Sequence, residues 1–269
     1  MVNIQERRRR EHNRLYKARL RWQWRRVGMD APIVLMVHGF VPSKEQCTSA
    51  FHLTAESFEK LLTIMSEEGW HAMSEAKLRR VVLNGVAGSG ERKHFYVTFD
   101  DVYDTVYTEA LPILRRLQVP FTIFVTKNLV GRVGHDGRPW ITMEHLRELA
   151  KEPLCTIGCH GVNHVQFRTY SEPEMREVCA ANKQWLIDEF HIFADTFAFP
   201  YGRWQDVDRW NIRYLSAYGF TYAFSALEGT LLSKHTTGIH FLPRVNVSET
   251  FVEKFINHQF PKWKDCEGR

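Results

Sequence analysis

Two carboxylates stand side by side in Thr98-Phe99-Asp100-Asp101, at the end of a short apolar, β-prone run. Successive strand side chains face opposite ways, yet where a strand gives way to a loop both can turn toward one site. Such a pair permits a division of labour, one carboxylate binding a cation while its neighbour stays ionised as a base. The simpler reading is an N-cap pair for the helical stretch that follows, and the Asp pair alone does not exclude it. His160-Gly161-Val162-Asn163-His164 follows a later run in the same way. Two histidines four apart in a helical turn share a face and can hold one metal through their imidazoles. Among 13 histidines some such spacing is expected by chance; what sets this pair apart is its place at the same strand ends as the Asp pair. A third run closes in Phe197-Ala198-Phe199-Pro200-Tyr201-Gly202. Its Pro-Tyr-Gly makes a rigid turn, or simply a strand exit, and the turn can aim backbone N–H groups at a ligand, so Pro200 and Tyr201 are candidate substrate contacts. Arg244, in Leu242-Pro243-Arg244-Val245, is a permanent cation among apolar neighbours. If buried it needs a carboxylate, and Asp100 is the expected partner; the alternative is that it points outward to water.

These residues need a scaffold that brings several strand ends together. Seven short apolar runs alternate with helical stretches: Ile33–Val37, Phe95–Phe99, Phe121–Val125, Cys155–Gly158, Thr196–Phe199, Thr221–Phe224 and Phe241–Val245. Between them Ala55–Glu68, Thr105–Leu117, Thr142–Lys151, Ser171–Phe190 and Asp206–Tyr218 carry helical periodicity, several behind Thr, Ser or Asp caps. The alternation predicts βαβ units and a parallel sheet. Seven units exceed what most open sheets need and fall one short of an eight-stranded barrel. The expected fold is therefore α/β, a single distorted (β/α)₇ barrel, with an open doubly wound sheet as the alternative. Asn84–Lys93 and Gly131–Pro139, rich in glycine and turn residues, are expected loops.

The chain divides into a basic arm, residues 1–30, and a barrel over residues 31–269. Residues 1–28 hold ten Lys/Arg against Glu6 and Glu11, a net +8; with +5 overall, the remainder carries −3. A uniformly basic nucleic-acid binder would not look like that, so a nucleic-acid role ranks last. The arm reads as a helix with Tyr16, Leu20, Trp24 and Val27 on one face. It suits peripheral contact with an anionic membrane, and equally an arm packed on its own domain. No run of about 20 apolar residues spans a bilayer, and no secretory apolar core opens the chain. Five cysteines without framework spacing fit reduced thiols. The expected location is the cytoplasm, with the inner membrane face as a peripheral option. A G-x-S-x-G elbow, a phosphate loop and a dinucleotide fingerprint are all missing, which leaves serine hydrolase and nucleotide chemistry unsupported.

The order Thr98-Phe99-Asp100-Asp101, His160-x-x-x-His164, Phe197-Ala198-Phe199-Pro200-Tyr201-Gly202 resembles the polysaccharide deacetylase family, the NodB-homology or carbohydrate esterase 4 group. Val34-Leu35-Met36-Val37-His38 and Pro120-Phe121-Thr122-Ile123-Phe124-Val125 extend the likeness over residues 31–250. The resemblance implies a distorted (β/α)₇ barrel and metal-dependent hydrolysis of an N-acyl, typically N-acetyl, group on a carbohydrate. It implies a divalent metal, often zinc, on Asp101, His160 and His164, with Asp100 as general base and the Tyr201 N–H on the oxyanion. Three positions depart from the pattern. Val102 stands where a glycine commonly follows the Asp pair. Ala198 stands where many members carry an arginine that braces the base, a task left to Arg244. The late Leu-x-His motif that supplies the acid is missing, leaving His38, His240 and His258 as candidates. The substrate expected is a cytoplasmic or lipid-linked glycan precursor. The competing readings are a deformylase or small-amide hydrolase on the same metal site, and an inactive glycan-binding barrel.

Overall fold

Each of the seven apolar runs becomes a strand in the computed structural model of the protein, which describes residues 31–85, 92–134, 136–231 and 238–257. The basic arm (1–30) and His258 lie outside the described residues. The strands are β1 (Ile33–Val37), β5 (His94–Asp100), β6 (Phe121–Val125), β7 (Cys155–Cys159), β8 (Thr196–Ala198), β9 (Tyr222–Glu228) and β10 (Leu242–Asn246). All pair in parallel, in the order β1-β10-β9-β8-β7-β6-β5. Pairing of β1 with β5, from Ile33↔Phe95 to Val37↔Phe99, joins the two ends and closes the barrel. Two-residue strands β2 (Gly39–Phe40) and β3 (His52–Leu53) pair with each other beside the barrel, and β4 (His71–Ala72) adds to the start of β5.

Period-two alternation divides the apolar residues into two cores. Val34, Tyr96, Phe124, Ala198, Phe224 and Leu242 fill the barrel together with Leu78, Val81 and Val82 of helix α2 (Glu75–Asn84), which had no counterpart among the predicted helices. Ile33, Leu35, Val37, Val97 and Phe99 face outward under the helices. Helix α1 (Ala55–Glu67) shows why those helices form: Thr54 accepts the Ser57 N–H at its N-cap, and Phe58, Leu61, Leu62 and Met65 make one buried face. Inside the barrel Gly158 is required, since a Cβ there would sit 2.5 Å from the Phe124 ring.

Three predicted elements differ in detail. The Thr105–Leu117 helix opens with a π-helical turn (Val106–Ala110) before α3 (Leu111–Leu117), where Pro112 lacks the N–H that a regular turn would use. Helices α4 (Met143–Leu149) and α5 (Glu172–Phe190, with a Ser171/Glu174 capping box) fall as expected. Asp206–Tyr218 shrinks to α6 (Arg209–Tyr214) plus a 3₁₀ turn. Asp206 is drawn out of the helix because its carboxylate accepts from the Arg203 N–H and Gln166 Nε2. The Gly131–Pro139 loop is partly ordered by bridges Val133↔Pro139 and Tyr103↔Trp140. Helix α7 (Glu249–Ile256) follows β10.

Candidate active site and metal centre

Along β5 the inward row is Tyr96, Thr98, Asp100, so Asp100 reaches the carboxyl-end mouth from inside the barrel and is buried. Arg244, inward on β10, meets it with two parallel bonds, Nη1 to Oδ1 at 2.7 Å and Nη2 to Oδ2 at 2.6 Å. Two more of its five donors are used: Nε donates to Ser225 O at 2.9 Å, and Nη1 also reaches Thr98 Oγ1 at 3.2 Å. Phe124 and Phe224 lie 5.9 and 5.5 Å from its Cζ and support it from the barrel interior. Burial alone would push the Asp100 carboxyl up. The Arg244 guanidinium, helped by His160, outweighs that and holds it below the usual carboxylate range. Arg244 therefore points inward and pairs with Asp100, and Ala198, buried on β8, carries no bracing role.

Asp101 would face outward if the strand continued. Instead it takes φ +61 and Val102 φ +55, and the Val102 N–H closes a tight turn onto Asp100 O at 2.7 Å. This reversal swings Asp101 back over the mouth, and places a β-branched residue where glycine is at ease. The neighbouring Asp100 and Asp101 therefore do not cap the following helix. His160 and His164 leave the end of β7, His164 with φ +51. Their Nε2 atoms lie 3.5 and 3.0 Å from Asp101 Oδ1. Neither contact has hydrogen-bond alignment, and Oδ1 is buried without a hydrogen bond. One ligand atom from each of the three residues falls within 4.8 Å of the others, the only such group among the described residues.

The chemistry of this set fits a divalent cation. His160 Nδ1 lies 2.7 Å from the Ala198 carbonyl, so this nitrogen carries a proton, and Nε2 is left as the nitrogen whose lone pair a cation would take in exchange for any proton there. Burial pushes the Asp101 carboxyl up, but the two imidazoles beside it hold it well below its ordinary value. An anionic oxygen without a hydrogen bond and an imidazole lone pair converge on one point, which is what a cation needs.

Of the two acid candidates among the described residues, His38 is the one at the centre. It follows β1, its Nδ1 is buried without a partner, and burial pushes its imidazole down against the opposing pull of Asp100 and Asp101. His240 Nε2 bonds the Phe220 carbonyl at 3.0 Å instead. The signal in sequence was His38's place directly after an apolar run, a signal His240 nearly shared. Tyr201 has φ +59 and exposes its ring against His164, centroids 4.7 Å apart. Gly202 follows with φ +62, and a Cβ there would meet Ala226 N at 2.7 Å, so the Pro-Tyr-Gly turn packs directly on β9. Pro200 is buried beneath the turn.

A closed parallel barrel whose mouth gathers an Asp-His-His cluster beside an arginine-paired carboxylate has the layout of an α/β-barrel hydrolase. The sequence model of the polysaccharide deacetylase family matches residues 87–223, and the chain belongs to that family of enzymes, which hydrolyse N-acetyl amide bonds. It is 24% identical over 202 residues to a poly-β-1,6-N-acetyl-D-glucosamine N-deacetylase of Staphylococcus aureus, covering 71% of this chain and 68% of that one. In fold it is similar to IcaB from Ammonifex degensii, with TM-score 0.70, 21% identity, and 85% and 96% of the two chains covered. The Streptococcus pyogenes deacetylase PplD gives TM-score 0.70 at 21% identity, over 86% and 99%.

Proposed function

We propose that the protein removes acetyl groups from the amino sugars of a carbohydrate, using a divalent metal, zinc by preference, held by Asp101, His160 and His164. The observation that carries this reading is the convergence of those three ligand atoms around a buried carboxylate oxygen with no hydrogen bond. Bound there, the metal would supply Lewis-acid polarisation of the acyl carbonyl and a more acidic water. Asp100 takes the proton of the attacking water. Its two bonds to Arg244 still leave each oxygen a free lone pair, and the guanidinium keeps the carboxylate ionised and aimed. As the water oxygen bonds to the acyl carbon, the former carbonyl oxygen gains charge and the Tyr201 N–H donates to it. His38, protonated in this step by the proton that Asp100 has taken, gives it to the amine nitrogen as the carbon–nitrogen bond breaks, and acetic acid and the free amine leave. The Arg244 brace and the position of His38 support this reading over an inactive glycan-binding barrel, because they occupy the two roles that Ala198 and the missing late histidine left open.

The substrate we favour is a glycan precursor, lipid-linked if residues 1–28 act as a basic membrane arm. Roughly 1 kcal/mol per Lys/Arg near anionic lipid would bring the barrel to such a substrate. Flotation with anionic liposomes should carry the full chain and leave an arm-deleted chain behind; equal behaviour removes the lipid-linked preference.

The central experiment is metal analysis of purified wild type, Asp101→Ala and His164→Ala. About one equivalent is expected in wild type and a sharp drop in both variants. His38→Gln, in contrast, should retain the metal and lose on the order of 10²–10⁴ in kcat on an N-acetylated amino sugar. A variant that keeps its rate would remove His38 from the mechanism.

A further inference from the structure

Among the described residues, four aromatic side chains are notably exposed: Phe51, Phe193, Tyr201 and Tyr214. Two of them lie against imidazoles of the centre. Tyr201 packs on His164 from the β7 and β8 side; Phe51 packs on His38 from the β1 side, ring centroids 4.6 Å apart and tilted by 53°. Phe51 is 38% exposed, and the mechanism gives it no task. A single exposed apolar ring usually needs no explanation. Here the surrounding construction calls for one.

The ring is held in place by its backbone and by both flanks. Strands β2 and β3 pair in the register Gly39↔His52 and Phe40↔Leu53, so His38 and Phe51 come next in line across the two chains, on the same face. Asn246, at the end of β10, donates to the Ala50 carbonyl at 2.7 Å. The Phe51 N–H donates to Ser49 Oγ at 3.0 Å, and His52 Nε2 lies 3.2 Å from Arg138 Nη2. Fastened from β2, β10 and the 131–141 loop together, the segment presents an apolar face to solvent beside the reacting groups, a rigid surface whose ordering entropy is spent before any ligand arrives. Residues Thr48–Ala50 of the same segment wall a cavity of about 580 Å³ that also touches Val245 and Asn246 of β10, room for a sugar residue.

We propose that Phe51 is a specificity-determining residue: its exposed ring packs against a C–H face of a pyranose ring and holds the sugar that bears the acetamide, with the cavity lined by the residues just before it taking the next residue of the chain. The proposal rests on the reading of this protein as a carbohydrate deacetylase. A gluco-configured pyranose chair carries axial C–H bonds on its faces, which an aromatic ring can cover while the hydroxyl rim stays wet. With Phe51 against His38 and Tyr201 against His164, the two exposed rings would border the mouth as a slot for a chain of sugars.

The test compares wild type, Phe51→Ala and Phe51→Trp on an N-acetylglucosamine oligomer and on a small acetyl ester that has no sugar ring. For Phe51→Ala we expect kcat/KM on the oligomer to fall about tenfold, mainly through KM, which corresponds to about 1.4 kcal/mol. The ester rate should hold within about twofold, and Phe51→Trp should recover most of the oligomer rate. Calorimetric titration with the deacetylated oligomer, which needs no turnover, should show the same loss of affinity in Phe51→Ala. An equal fall on both substrates would mean that Phe51 only supports His38, and no change on either would mean that it touches nothing; both overturn the proposal. Wild type that cleaves the ester and no sugar would instead defeat the carbohydrate reading itself.

Discussion

Arg244 has the least freedom of any residue in the site. Its side chain is fully buried, and every bond it makes depends on a partner in another strand. Removing one member of a buried, hydrogen-bonded pair strands the other charge at a cost of about 3–5 kcal/mol. Arg244→Met should therefore lower the unfolding free energy measured by urea denaturation by that amount and abolish activity, while Arg244→Met combined with Asp100→Asn regains part of the stability and none of the activity. Val102 is a different kind of constraint. A buried valine at positive φ stores strain that glycine would not, which marks the Asp101 reversal as a feature held in place by its surroundings: the Ile141 N–H bonds the Val102 carbonyl at 2.8 Å. The sequence offered Val102 as a departure from a pattern; only coordinates show that the turn survives it.

Strand packing transmits distant substitutions to the site. Gly158 sits mid-strand on β7, and its missing Cβ leaves room for Phe124 of β6, which in turn supports the Arg244 guanidinium. Gly158→Ala must push the Phe124 ring and Thr196 Oγ1 aside, an overpacking cost of about 1–3 kcal/mol by chemical denaturation. Because the ring that moves lies beneath Arg244, activity should fall as well, with metal content unchanged. Element identity was largely legible in advance, since long buried strands and capped helices have strong periodic signals. Two-residue strands have none. The β2–β3 pair that carries Phe51 could not be seen in sequence, as its order comes from hydrogen bonds supplied by β10 and the 131–141 loop.

Across the whole molecule, the face opposite the site is tied by charge. Arg79 of α2 forms two bonds to Asp195, at 2.7 and 2.8 Å, and bonds Glu75; Thr221 Oγ1 donates to Asp195 at 2.6 Å. Burial pushes the Asp195 carboxyl up, but Arg79 and Thr221 outweigh it and hold it below its usual range. A carboxyl depressed in the folded state contributes stability above its unfolded pKa, near 4, and loses it as pH falls through the lower folded value. Asp195→Asn should thus cost about 1–3 kcal/mol at pH 7, and the difference in Tm from wild type should shrink toward zero in acid below about pH 4. A gap independent of pH would mean that the ion pair contributes nothing. Near the rim, Glu249 bonds Thr54, Ser57 and Lys44, fastening α7 to α1 in a similar way.

Local sequence was enough to determine which seven segments become the barrel strands, which ends of those strands carry the candidate site side chains, and the family to which that arrangement belongs. Each of these depends on neighbours in the chain: periodicity, caps, and residue types directly after apolar runs. Tertiary structure decided the rest: that Arg244 turns inward to Asp100 rather than to water, that His38 rather than His240 stands among the carboxylates, and that Phe51 lies beside it. Those outcomes require residues more than a hundred positions apart, or loops braced from several strands, to meet within a few ångströms. Barrel closure through β1 and β5 creates that proximity, and no local pattern encodes it.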